Sequence, residues 1–327
     1  MVRSPGRYGT KYFVPFLFMY KKLSLFTIYA IFLLIFVGGV VRASGSGMGC
    51  PDWPKCFGQW VPPTDVSELP LNYQEIFGAK LKGEVQFNAF KTWTEYVNRL
   101  LGVLIGLLII GSFISSIKDY WKSNKTIVFF SGLALVLVIL EGWIGAKVVA
   151  TELNPVLITV HMLLAIGVVF SLIYALHLAH LIDTNSGYTN QEYKFIVLLL
   201  MLVSFGQLIL GTALREKVDE AYLSGLSRTD WLSNTGGEFY FHIGLGTALL
   251  IGHLFLWLKS KGMSNDLRSK GLIKYLSIIV LLEYSFGAIL GLLKMPAVIQ
   301  PFHLTLGTII LGIQFILILL FGKKSSL

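Results

Sequence analysis

Charge is what this sequence has least of. Asp, Glu, Lys and Arg together make up 14% of its 327 residues, against about 25% in an average soluble domain. That leaves too little polar surface for a dissolved globule, and a soluble α/β enzyme is excluded. Cysteine is nearly absent: Cys50 and Cys56 stand alone, too few for a disulfide-rich secreted scaffold or a cysteine-built metal cluster. The glycines and prolines follow no collagen-like period. What fills the chain instead is apolar: 54% hydrophobic residues and a mean hydropathy of +0.70, which also excludes disorder. This is the composition of a polytopic membrane protein. The formal charge of +9 would suggest nucleic acid in a soluble protein. Here basic loops facing an anionic leaflet explain it, and no nucleic-acid partner is expected.

Apolar runs broken by polar stretches predict eight membrane-spanning helices near 24–42, 93–117, 126–148, 154–181, 193–214, 237–259, 272–293 and 299–322. Lys and Arg crowd alternate connections: Arg3, Arg7, Lys11, Lys21 and Lys22, then Lys118, Lys122 and Lys125, then Lys259, Lys261, Arg268, Lys270 and Lys274, and finally Lys323 and Lys324. The positive-inside rule puts these on the cytoplasmic side with both termini, in a bacterial inner membrane. The first apolar run is longer than the core of an ordinary signal peptide, so it is expected to remain as a span. The expected organisation is a basic N-terminus (1–23), an N-terminal four-helix bundle (24–182) with a large outer loop (43–92), a linker (183–192), a C-terminal four-helix bundle (193–322) and a short tail (323–327). The outer loop holds Cys50-Pro51-Asp52-Trp53-Pro54-Lys55-Cys56. Outside the membrane a disulfide and a pair of free thiols are both open readings.

The two halves repeat. Leu140-Glu141-Gly142-Trp143-Ile144-Gly145-Ala146 resembles Leu282-Glu283-Tyr284-Ser285-Phe286-Gly287-Ala288, and the step from Glu141 to His161 equals that from Glu283 to His303. Gly38-Gly39-Val40-Val41-Arg42 resembles Gly211-Thr212-Ala213-Leu214-Arg215, and Asn98 falls in register with His242. Each copy has an even number of spans, so both enter the membrane in the same sense. The expected fold is an all-α integral membrane protein of two tandem four-helix bundles, related by a pseudo-twofold axis along the membrane normal.

Polar residues inside a bilayer are costly and mark sites. At 1.5 Å rise per residue, His161, His242, His303 and Asn98 all lie near the outer ends of their spans. One histidine from each of two facing helices is an arrangement that holds a haem iron, and His242 and His303 form such a pair; two hydrogen-bonded core histidines would look the same. The first copy pairs His161 with Asn98, whose neutral amide is a poor iron ligand, so an open or weakly filled coordination position is expected there. Glu95, three residues before Asn98 and on its helix face, is the candidate acid–base group, or else an interfacial carboxylate paired with Arg99 or Lys91. Glu141 and Glu283 lie deeper and are read as repeated structural groups, protonated or bonded to a neighbouring helix. Arg42 and Arg215 fit either haem propionates or membrane-edge anchoring. His177 and His180 are placed at the inner end of the fourth span, and His253, ~16 Å deeper than His242, is assigned to helix packing.

The run Arg42-Ala43-Ser44-Gly45-Ser46-Gly47 into the cysteine loop, then Glu95-x-x-Asn98-Arg99, His161, His242 and His303, resembles the heme A synthase family over nearly the whole chain. The resemblance implies haem b on His242 and His303 in the C-terminal half. It also implies heme O in the N-terminal half as the substrate, oxidised at its C8 methyl to a formyl group to give heme A for terminal oxidases. It further implies a needed carboxylate at Glu95, a Cys50–Cys56 disulfide, and heme O synthase, oxidase assembly factors or a second copy of the chain as partners. Asn98 departs from the family pattern, which has histidine. Either His161 alone or a transient group holds the substrate iron, or the chain is an inactive relative. Other classes remain: a haem b electron-transfer or quinol-linked membrane oxidoreductase, and a non-catalytic haem carrier or assembly protein.

Overall fold

The structure, a computed structural model, describes residues 14–78, 86–179, 190–263 and 266–322. His180, most of the expected linker, and Lys323 and Lys324 lie outside the described residues. Among those described, the protein is all-helical, with one isolated bridge between Cys56 and Gln59. Eight helices are long and apolar enough to cross a membrane: α1 (Val14–Ala43), α3 (Ala89–Tyr120), α4 (Lys125–Ala150), α5 (Pro155–Leu178), α6 (Gln191–Leu223), α7 (Gly237–Ser260), α8 (Leu267–Leu292) and α9 (Ile299–Leu320). A short helix, α2 (Tyr73–Phe77), lies in the loop after α1.

Local chemistry sets the helix ends. Asn88, Asn124, Asn154 and Asn190 each accept a backbone N–H at the start of α3, α4, α5 and α6, and Asp266 does the same for α8. Such caps supply acceptors to N–H groups that have no partner within the helix. Pro155 follows Asn154 at the first turn of α5, where a missing N–H costs nothing. The α4–α5 and α8–α9 turns share a backbone geometry. Glu152 and Leu153 have φ of 53° and 65°, and Lys294 and Met295, in register with them, have 58° and 60°. Leu153 N donates to Val148 O at 2.8 Å, as Met295 N does to Leu290 O at 2.8 Å. Left-handed geometry at four non-glycine residues costs about 1–2 kcal/mol each, so its recurrence in both halves marks a shared local design.

Helix packing follows the same scheme. In the first half α1 packs on α3, α3 on α4, α4 on α5 and α5 back on α1; in the second, α6, α7, α8 and α9 pair in the same way. Between the halves, α5 meets α9, α1 meets α9 and α6 meets α5. Exchanging the halves maps this set of pairs onto itself. The α1–α9 contact is the closer of the two equivalent junctions, and the side chains explain it. A Cβ on Gly39 would sit 3.0 Å from Pro301 Cα, whereas at the matching junction Thr212 and Thr159 bond through their hydroxyls at 3.0 Å. Phe170 stacks on Phe315 across α5 and α9 with ring centres 4.3 Å apart.

The two largest shifts from the predicted boundaries are in α1 and α6. The first helix begins by Val14, ahead of residue 24. Helix α6 runs on from Leu214 to Leu223, its charged end carrying the one-turn Arg215–Asp219 pair; hydropathy stops where the apolar run stops, and the helix does not. The loop between α1 and α3 has its own small core of Cys50, Cys56, Phe57, Leu69 and Tyr73. Cys50 and Cys56 are joined by a disulfide, which settles the open choice between bridge and free thiols.

Candidate functional site

In the second half, His242 on α7 and His303 on α9 face each other with ring centres 6.3 Å apart and planes at 73°. Two imidazoles sharing one metal through bonds of ~2.0 Å place their centres about 6 Å apart, so the pair fits a porphyrin iron. Glycines shape the ring positions. A Cβ on Gly211 of α6 would stand 3.2 Å from His242 Cε1, and one on Gly287 of α8 would stand 3.1 Å from His303 Cε1. Glu283 Oε1 on α8 lies 3.1 Å from His303 Nδ1, so the Nε2 edge of that ring is the one left for a ligand. His242 Nδ1 is buried without a hydrogen-bond partner. The Gln207 amide donates to the His242 carbonyl at 2.9 Å and lies 3.3 Å from its Nε2.

The first half repeats this layout with one change. His161 on α5 rests beside Gly145 of α4, whose Cβ would be 3.5 Å from its Cε1. The Glu141 carboxylate of α4 contacts His161 Nδ1. Asn98 on α3 rests beside Gly38 of α1, and its side-chain oxygen is buried without a partner. That orphaned acceptor stands where the other half has an imidazole. The His161 side chain is 44% exposed against 25% for His303, so the first half is the more open.

Above Asn98, Glu95 and Arg99 tie the cysteine loop to α3. Glu95 is 4% exposed. It accepts the Cys50 backbone N–H at 2.8 Å and takes two bonds from the Arg99 guanidinium. Arg99 also donates to the carbonyls of Asp52 (2.7 Å), Lys55 (3.0 Å) and Cys50 (3.2 Å). Asp52 caps the turn by accepting from Phe57 N and Gly58 N, and Thr92 donates to Gly49 O at 2.9 Å. The sequence offered Arg99 or Lys91 as a partner for Glu95; the structure provides Arg99 and adds the Cys50 amide.

Arg42 and Arg215, one from each half, converge on Asp219, at 3.1 Å and 2.6 Å. Sequence reasoning missed Asp219, although its place one turn after Arg215 was a readable signal. It missed Gln207 too, for which the first half has only Leu34 in register. His253 lies apart from the site: it is 1% exposed, bonds Leu249 O through Nδ1 at 2.8 Å, and meets Gln314 through Nε2 at 3.1 Å. Gln314 in turn donates to Ser204 at 3.0 Å. That is a packing role, as expected. His177 lies in the last turn of α5 beside Tyr174. Among the described residues, no group of three or more His, Cys, Asp or Glu side chains forms a metal-ion site.

Comparison with known proteins matches residues 21–315 to the family model described as cytochrome oxidase assembly protein, COX15-CtaA. Similar curated proteins bear the name Heme A synthase. The one from Shewanella oneidensis is 27% identical over 183 residues, covering 55% of this chain and 52% of that protein. The one from Bartonella quintana is 29% identical over 217 residues, covering 56% and 57%, and that from Ehrlichia ruminantium is 24% identical over 196 residues, covering 55% and 56%. The chain spans about half the length of these curated relatives. With nearly all of its length inside the family match, this chain belongs to the cytochrome oxidase assembly protein family.

Proposed function

We propose that this protein is a heme A synthase, an oxidoreductase that converts the C8 methyl of heme O to a formyl group by successive hydroxylations. The observation that carries the reading is the paired layout: one site closed by two imidazoles, and a sister site in which an amide replaces one of them. A closed bis-histidine site suits electron transfer, and an open one suits substrate. His242 and His303 would hold haem b, which supplies one-electron transfer when bound. His161 would hold the substrate iron, with Asn98 opposite it as a weak or displaceable neighbour.

Each oxidation stage takes two electrons, delivered to an external electron acceptor, and one proton from the methyl carbon; water adds to the resulting cation with loss of a second proton. After the second hydroxylation the geminal diol loses water to leave the formyl group. A negative charge near that carbon stabilises the developing positive charge. Glu95 supplies it one turn outward from Asn98 and accepts the released proton. Arg99 compensates Glu95 in the resting state. Because Arg99 also holds three loop carbonyls, it keeps partners when Glu95 is protonated. The cysteine loop then acts as a lid that fixes both side chains and limits water. Arg42 and Arg215 offer guanidinium donors at the outer edge for propionates, with Asp219 holding them in place.

The repeat registers, the matching turns and the self-mapping set of helix pairs support two four-helix bundles, 24–182 and 193–322, about a pseudo-twofold axis along the membrane normal. The basic connections support a bacterial inner-membrane placement with the cysteine loop outside. Heme O synthase and terminal-oxidase assembly factors are the partners this chemistry calls for, and a homo-oligomer is compatible with it.

Asn98 is the observation that favours a rival, a haem carrier without oxidase activity. Co-expression with a heme O-forming enzyme, followed by extraction and mass analysis of bound haems, separates the two. Wild type should yield heme A, and Glu95→Gln should yield haem b and heme O without heme A. Haem b and heme O alone from the wild type would overturn the synthase reading in favour of the carrier.

A further inference from the structure

Both halves place a carboxylate inside the membrane against an imidazole: Glu141 at His161 Nδ1 and Glu283 at His303 Nδ1, the latter at 3.1 Å. Neither carboxylate has a role in the chemistry described above. Glu141 is 8% exposed and the Glu283 side chain 18%. An ionisable group at such depth is expensive unless it is paired. Both pairs come from the same helix junction, α4 on α5 and α8 on α9, in the same register. Among the described residues, ion-pair contacts join His161 and His303 to these carboxylates, and none joins His242 to one.

We infer that Glu141 and Glu283 are positioning residues, each accepting the Nδ1–H of the histidine on the next helix and so presenting Nε2 to a haem iron. This rests on the haem-ligand reading of His161 and His303. A carboxylate on the far side of a metal-bound imidazole fixes its tautomer and orientation and raises its basicity. Ferric iron in a dianionic porphyrin carries one net positive charge, and one carboxylate behind the ligand compensates it inside the bilayer. Ferrous iron has no such charge to compensate, so the carboxylate favours the oxidised state. Haem b held by these two residues would therefore meet unlike histidines, His303 backed by a carboxylate and His242 not.

The test is a spectroelectrochemical titration of bound haem b in the purified full chain, alongside its affinity for added ferric haem. Glu283→Gln should keep the pigment and move its midpoint to a more positive potential. Glu283→Leu should move it further the same way, with affinity lowered about 10-fold. Should Glu283→Leu not fold, the glutamine variant carries the test. Glu141→Gln should lower retention of heme O and leave the haem b midpoint unmoved. Unchanged midpoint and affinity in Glu283→Gln would overturn the inference and leave the carboxylate a packing group. His303→Ala tests the ligand reading separately, since pigment kept there would remove His303 from the iron whatever the glutamate variants do.

Discussion

Arg99 and Glu95, one turn apart on α3, form a buried ion pair, and the same guanidinium grips three carbonyls of the cysteine loop. The residue argued to do chemistry is thus also the anchor of the loop that covers it. Removing one partner of a buried pair leaves an uncompensated charge, at about 3–5 kcal/mol. Arg99→Met should therefore loosen the loop, read as faster proteolysis between residues 43 and 88. Glu95→Gln keeps the side-chain volume, an acceptor for Cys50 N and the three carbonyl partners of Arg99, so it should loosen the loop less than Arg99→Met while abolishing heme A formation. Equal proteolysis of Arg99→Met and wild type would remove the clamp.

The glycines beside the rings make a sharper structural test. Gly287→Ala and Gly211→Ala would each push a methyl to within 3.1 Å and 3.2 Å of a histidine carbon, closer than van der Waals contact allows. Both variants should lose most bound haem b. Gly244, on the same helix as His242, has nothing within 4 Å of its would-be Cβ. Gly244→Ala should keep the full pigment and gain about 0.5–1 kcal/mol of helix stability. Haem content that is equal across the three variants would contradict the cradle.

Asn98 is the point at which one half departs from the other. Asn98→His places an imidazole beside Gly38, in register with His242, which lies beside Gly211 and faces His303. Heme O should then co-purify in greater amount and with a low-spin spectrum, because a second strong ligand closes the iron. Unchanged retention would show that the two sites differ by more than this side chain.

A buried layer tests the repeat itself. Ser204, His253 and Gln314 form a bonded polar set in the second half, and Ile31, Ile109 and Leu172 occupy the positions in register in the first, all buried. Gln314→Leu alone strands His253 Nε2, at about 1–3 kcal/mol, while the Ser204 hydroxyl keeps its bond to Leu200 O. Ser204→Ile, His253→Ile and Gln314→Leu together should recover most of that loss in thermal unfolding, since the first half already packs that apolar set. A triple variant no more stable than the single one would contradict equivalent packing of the halves.

Much of this was legible in the sequence because a membrane simplifies the reading. Eight spans follow from hydropathy, and a polar residue among apolar ones stands out, so His161, His242, His303, Glu141 and Glu283 were visible before any coordinates. Their pairing was not. Glu141 and Glu283 were seen to repeat, but only the packing of α4 on α5 and α8 on α9 shows what each touches. Asp219 was overlooked because α6 continues beyond the apolar run, so its one-turn spacing from Arg215 was taken as loop. Gln207 has no counterpart in the first half, so the repeat could not flag it. The grip of Arg99 on the loop depends on backbone carbonyls, which carry no sequence signal.

The most direct measurement is the reduced-minus-oxidised and low-temperature EPR spectrum of the purified full chain, compared with His242→Ala and His303→Ala. Wild type should show a low-spin haem with two imidazole ligands, and each variant should lose that signal by losing the pigment or turning high-spin. An unaltered low-spin spectrum in both variants would contradict the claim that these two side chains hold the iron between them.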